Sequence, residues 1–237
     1  MSNAAAIQSI PAIDAAETDR AGFLRRTYGH LAGAVLAFAV LESYLLSLPI
    51  AEKFTVYASN KWVWLGILAI YMVVSAIAEQ MARSGTTRAT HYVALGIYVV
   101  AEAVIFVPLL TMARAVSPEI IPMAVILTGA LVAALTAICF TTRANFSGLR
   151  TFLMCGGFLS IGLIICSAVF GFGLGMLFSG GMIVLACGMI LYTTSAIQRD
   201  FTTEGYVGAS LCLFAAVALL FWYITRILIE LYLRAEE

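Results

Sequence analysis

Long apolar runs alternate with short polar segments along the 237-residue chain, and seven of them are about as long as the roughly 20 residues a helix needs to cross a bilayer. They cover about 31–50, 62–81, 92–112, 120–140, 151–170, 174–197 and 206–231, numbered here as spans 1 to 7. The pattern predicts an all-α membrane protein, a seven-transmembrane-helix bundle formed by residues 23–237. Residues 1–22 read as a flexible tail, because they are rich in Ala, Ser and acidic groups, contain Pro11 and show no periodic apolar face. Span 1 is longer than the apolar core of a signal peptide and lacks a small-residue cleavage site followed by polar chain, so it is expected to stay in the protein. No repeat with a period of roughly 20–50 residues is visible, which argues against an inverted-repeat transporter.

Side-chain size separates span 7 from the others. Gly208, Ala209, Ser210, Cys212, Ala215, Ala216 and Ala218 line its near half. A helix with so little bulk can be enclosed, so helix 7 is expected to be central. Gly171, Gly175 and Ser179 at the start of span 6, and Gly156 and Ser160 in span 5, recur every four residues and would allow helices to approach closely. Trp62 and Trp64 at one end of span 2, with Trp222 and Tyr223 toward the outer end of span 7, fit an aromatic belt.

Composition agrees with the pattern. With 62% hydrophobic residues, 11% charged residues and a mean hydropathy of +1.01, the chain is excluded from the water-soluble globular class. Net charge is zero, so the placement of charge carries the information. Arg20, Arg25, Arg26, Arg83, Arg88, Arg143, Arg150 and Arg199 fall on one side of the alternating spans, against Lys53, Lys61 and Arg114 on the other. This asymmetry predicts a cytoplasmic N-terminus and an outer C-terminus. His30 and His91 then sit at the cytoplasmic ends of spans 1 and 3 as interfacial residues. Cys139, Cys155, Cys166, Cys187 and Cys212 all lie in apolar runs at no metal-binding spacing and read as packing residues.

An ionisable side chain in the middle of a span costs on the order of 3 kcal/mol and therefore calls for a reason. Glu102 lies about midway along span 3 in "YVVAEAVIFVP", with Pro108 about two turns later. A carboxyl at that depth must be met by a proton, a cation or water, so it could bind or relay a proton or cation. Glu42, in the outer half of span 1, is the second candidate ion or proton site. Glu79, near the cytoplasmic end of span 2, can snorkel to the interface. Arg226 and Glu230 are four residues apart on one face of span 7 and are expected to form a structural pair. There is no Gly-rich phosphate loop with a Lys, no His-rich metal motif and no nucleophile elbow. The chain is therefore read as not an enzyme, with no cofactor, no metal site and no nucleic-acid partner.

Several segments, in order, resemble the Bax inhibitor-1 family of transmembrane Bax inhibitor motif proteins, in its bacterial branch. "FLRRTYGHLAGAVLAFAV" is similar to the family's entry into helix 1, through Phe23, Leu24 and Tyr28. "AEAVIFVPLL" resembles the helix 3 segment, with Glu102 at the position of the family's Glu. "CFTTRANFSGLRTFLMCGG" resembles the link between helices 4 and 5, carried by Thr141, Thr142, Arg143, Phe146 and Ser147. "ILYTTSAI" looks like the family's "LYDTQ" element, and "YVGASLCLF" with "ITRIL" is similar to its last helix. The resemblance runs from about 23 to 228 and implies six helices around a seventh. For some members it implies a pH-sensitive calcium leak gated by two aspartates in helices 6 and 7 that share a proton. Two carboxylates held close cannot both ionise cheaply, so protonation can drive such a gate. In this chain those positions are Thr193 and Ala216, so the usual aspartate gate is absent.

Two functions follow from the resemblance. One is a multi-pass protein of the bacterial inner (plasma) membrane that acts as a cation (calcium) leak or proton-responsive channel with Glu102 as its remaining buried carboxyl. The alternative is a non-transporting regulator of a membrane-embedded quality-control protease or of stress and cell-death responses, working through the N-terminal tail. The expected partners are accordingly the lipid bilayer, calcium or protons, or a membrane protease.

Overall fold

The computed structural model describes residues 11–84, 87–142 and 146–235, apart from the side chain of Gln198. Residues 1–10 of the predicted tail and Arg143 of the Thr-Thr-Arg motif lie outside the described residues. The described chain forms eight α-helices in the order α1 Glu17–Ser47, α2 Ile50–Ala58, α3 Lys61–Arg83, α4 Arg88–Val116, α5 Ile120–Thr142, α6 Leu149–Phe170, α7 Met176–Asp200 and α8 Tyr206–Ala235. All except α2 are long and apolar enough to span a membrane, which gives the seven spans expected from hydropathy. Among the described residues the only strand-like pairing is an isolated bridge between Pro11 and Thr202.

Two boundaries differ from the hydropathy reading. Span 1 begins at Glu17, well before residue 31. The extra turns are polar on the outside, and Phe23, Thr27, Leu31 and Ala34 continue a buried stripe at three- and four-residue spacing. Glu17 and Asp19 sit in the first turn, where acidic groups oppose the positive end of the helix dipole. The described end of the predicted tail also makes contacts of its own: Ala12 is buried and its N–H donates to the carbonyl of Phe201 at 2.9 Å. The second difference is α2, which occupies the segment between spans 1 and 2. Pro49 stands just before it with φ −60°, a geometry suited to helix entry, and Ala51 and Ala58 are buried against the bundle.

α3 starts where Asn60 accepts hydrogen bonds from the N–H groups of Trp62 at 3.0 Å and Val63 at 3.4 Å. Capping of this kind contributes about 1 kcal/mol. Asn60→Ala is therefore expected to lower stability by about 1 kcal/mol, read as a lower melting temperature in detergent; an unchanged melting temperature would show that the cap adds nothing. At the same end of the bundle α6 closes on Gly171, whose φ of +78° lies in the left-handed region. Gly175 caps α7 from outside the helix. Gly171, Gly175 and Ser179 therefore do not form the helical face their spacing suggested. Gly156 and Ser160 do lie at a close helix contact. A side chain at Gly156 would meet Leu185 of α7, and the Ser160 hydroxyl donates to the carbonyl of Gly156 at 2.7 Å.

Burial is uneven. In α8, 72% of the most apolar window is inside the bundle, against 56% for α4 and 33% or less for every other span. α8 touches α1, α3, α4, α5 and α7. Phe38 of α1 packs edge-on against Phe106 of α4 and against Phe214 and Phe221 of α8, with centroids 5.1, 6.0 and 6.4 Å away. These rings join the two larger apolar clusters of the core, and each such pair adds roughly 0.5–1.5 kcal/mol beyond its buried area. α1 and α4 run in the same direction, as Phe38–Phe106 and the bond from Arg114 to the Leu46 carbonyl share one register.

Candidate functional site: a carboxyl on the wall of an aromatic cavity

α3 and α4 face each other with polar residues at helical spacing. On α3 these are Tyr71, Ser75 and Glu79, four residues apart, and on α4 Tyr98 and Glu102, also four apart. Glu102 is 3% exposed, and its Oε1 accepts a hydrogen bond from the Tyr71 hydroxyl at 2.6 Å. The Tyr71 and Tyr98 hydroxyl oxygens are 3.4 Å apart. A bond of 2.6 Å between a hydroxyl and a carboxyl is in the range of charge-assisted bonds. The three groups form one hydrogen-bonded chain.

This chain borders a cavity of about 640 Å³. α3, α4 and α8 supply most of its wall, and α6, the 171–174 link and Met189 of α7 supply the rest. Along α3 the lining runs from Lys61 to Glu79. Eighteen residues at 1.5 Å each span about 27 Å, close to the thickness of a bilayer's hydrocarbon core. Glu79 is therefore half-buried on the cavity wall, whereas its position in the sequence suggested snorkelling to the interface. The reason is register: Glu79 is two turns from Tyr71 on the same face of α3.

The two candidate carboxyls are not brought together. Glu42 is 3% exposed, is not part of the cavity wall, and neither of its carboxyl oxygens has a hydrogen-bond partner. In the shared register of α1 and α4 it lies level with Leu110, two turns or about 12 Å along the axis from Glu102. Of the two positions where the family resemblance places aspartates, Ala216 is buried on the cavity wall and Thr193 is buried on α7.

The expected pair of Arg226 and Glu230 is not formed. Arg226 turns to the 171–174 link and donates to the carbonyl of Leu174 at 2.8 Å, while Glu230 keeps a buried Oε2 without a partner. An unpaired carbonyl beside a non-helical link is a strong acceptor and lies closer to hand than a carboxylate one turn further along. The ion pair among the described residues joins Arg88 at the start of α4 to Glu204 in the link before α8. Trp64 and Trp222 also leave the aromatic belt assigned to them. Their rings stack at 5.9 Å with an interplanar angle of 18° on the cavity wall, whereas Trp62 is 61% exposed.

At the opposite end, His30 bridges three helices. Its Nδ1 lies 2.7 Å from the carbonyl of Arg26, which can only accept, so Nδ1 carries the hydrogen and Nε2 accepts from the Tyr92 hydroxyl at 2.9 Å. The Tyr206 ring lies 5.1 Å from the imidazole. His91 is buried, with Nε2 3.0 Å from the carbonyl of Ser84. Both histidines thus tie helix ends together.

Sequence reasoning found Glu102 and missed Tyr71, Tyr98 and the inward turn of Glu79. The signal was present as the four-residue spacing of polar groups in spans 2 and 3. What was missing was the pairing of those two faces.

A model of the family "Inhibitor of apoptosis-promoting Bax1" matches residues 20–231. An uncharacterized protein of Pseudomonas aeruginosa is 28% identical over 213 residues, covering 87% of this chain and 88% of that protein. The family match extends from the first helix to the last, across every wall of the cavity. The chain is a multi-pass α-helical membrane protein belonging to the Bax inhibitor-1 family.

Proposed function

We propose that this protein is a proton-responsive, cation-permeable member of its family, with Glu102 as the titrating group. The observation that carries the reading is a cavity nearly as long as the hydrocarbon core, bordered by a buried carboxyl that is hydrogen-bonded to Tyr71. An ionised Glu102 accepts from Tyr71 and offers negative charge to a cation in the cavity. Protonation removes that charge and adds an O–H donor, so the bond from Tyr71 loses its charge assistance while the carbonyl oxygen can still accept it. With Ala216 and Thr193 in place of the aspartate pair, the proton-dependent charge moves from α7 and α8 to α4.

Calcium prefers six to eight oxygen ligands. Among the described residues no cluster of three acidic, His or Cys side chains could hold a metal ion. Two carboxyls and two phenols along one wall suit passage of a cation better than its storage. The same reading places the protein in the bacterial plasma membrane with its N-terminus in the cytoplasm. It also makes α8 the helix that the others surround, which its five neighbours and high burial support.

Purified protein in liposomes should admit calcium with a rate that depends on pH between about 5 and 8. Glu102→Gln keeps the shape and removes the titration. Because hydrogen bonds to charged groups contribute about 1.5–3 kcal/mol, the substitution should change the flux by roughly tenfold or more and flatten its pH dependence. Flux no greater than in protein-free liposomes at every pH would reject the reading.

A further inference from the structure

The mouth of the cavity is cationic. Lys61 precedes Trp64 by three residues on α3, and Arg226 follows Trp222 by four on α8. α3 and α8 are antiparallel, so both cations lie beyond the tryptophan stack in the same direction, by about 4.5 and 6 Å. Both residues line the cavity. Arg226 is anchored by its bond to the Leu174 carbonyl, which uses one of the five N–H donors of a guanidinium. Lys61 is exposed, with its ammonium 5.5 Å from the ring centre of Trp62. The acidic residues of the wall, Glu79 and Glu102, belong to deeper turns.

Below the tryptophans the wall is apolar, through Leu65, Leu68, Ile164, Met189 and Leu219. α6, which forms one side, is the second least buried of the spans, with 11% of its window inside the bundle, and touches α3 only lightly. The seam between α3 and α6, the two least buried spans, is thus only loosely closed. A cationic rim above an apolar slot is complementary to an anionic amphiphile that arrives from the lipid. The volume of about 640 Å³ lies within the range of small-molecule sites and suits one chain better than the two of a phospholipid. A carboxylate matches the fork of a guanidinium.

We propose that Lys61 and Arg226 bind the carboxylate of a long-chain fatty acid whose tail lies against Trp64 and Trp222. In this position the fatty acid neutralises the rim and fills the slot above Glu102, so that occupancy regulates cation entry. This regulatory consequence rests on the leak proposed above, whereas the binding does not.

Binding is tested in the full-length protein in neutral detergent. The chain has three tryptophans, so Trp62→Phe removes the exposed one and leaves fluorescence from the stacked pair. Titration with a brominated long-chain fatty acid should quench this fluorescence saturably, and the matching brominated alcohol should not. Lys61→Gln with Arg226→Gln should weaken the apparent affinity at least tenfold, and Arg226→Lys with Lys61 intact should retain most of it. Equal quenching by acid and alcohol, quenching that never saturates, or an unchanged affinity in the double variant would overturn the proposal. Tighter binding of a brominated lysophosphatidate would overturn the choice of a carboxylate. Absent calcium flux with intact, rim-dependent quenching would reject the leak and leave the fatty-acid site standing.

Discussion

Gly208→Ala is expected to lower the stability of the protein by about 1–2 kcal/mol, although alanine is the better helix former. A Cβ at Gly208 would sit 2.3 Å from the carbonyl oxygen of Ala82 and 3.1 Å from its carbon. Both atoms are backbone at the end of α3, so the contact can be relieved only by moving one helix away from the other. Overpacking of this kind costs about 1–3 kcal/mol and occasionally more, while exchanging glycine for alanine within a helix returns about 1 kcal/mol. The clash prevails. Gly156→Ala supplies the contrast, because there the nearest atom is the methyl Cδ1 of Leu185, which can rotate aside. The same gain in propensity should leave that variant within about 1 kcal/mol of the parent. Thermal unfolding in one detergent compares the three proteins. A Gly208→Ala melting temperature at or above the parent's would mean that α3 and α8 do not meet so closely.

Glu42→Met should stabilise the protein, by about 1–3 kcal/mol. Glu42 is buried and both its carboxyl oxygens lack hydrogen-bond partners, so the side chain loses its hydration and receives nothing in return. Methionine fills a similar length with an adaptable apolar chain. Glu102→Met should have the opposite sign, because it leaves the Tyr71 hydroxyl without the acceptor that lies 2.6 Å away. Destabilisation by Glu42→Met, again measured as a melting temperature, would show that a bound water or cation occupies the space beside Glu42.

These two glutamates show how much of the site could be read in advance. Each is a carboxyl well inside an apolar run, and each costs the same to place there. Local sequence ranks them only through the Pro that follows Glu102. Glu42 is inward-facing because it continues the stripe from Phe23 through Leu31 and Phe38, and that stripe becomes visible once α1 is known to start at Glu17. The cavity and the Tyr71 hydroxyl distinguish Glu102, and both come from the facing of α3 on α4. Arg226 teaches the same lesson. Four-residue spacing made Glu230 its natural partner, but a carbonyl 52 residues away in the chain took its hydrogen bond.

Hydropathy along the chain was sufficient for the all-α membrane class and the number of spans, because crossing a bilayer requires each helix to satisfy its own backbone and present an apolar surface along its own length. Those are properties of one segment at a time. The cavity, the hydrogen-bonded partner of Glu102, the isolation of Glu42 and the cationic rim required tertiary structure. Each depends on which faces of separate helices meet, and among helices that are apolar nearly all round, small shape differences such as the missing side chain at Gly208 decide that packing.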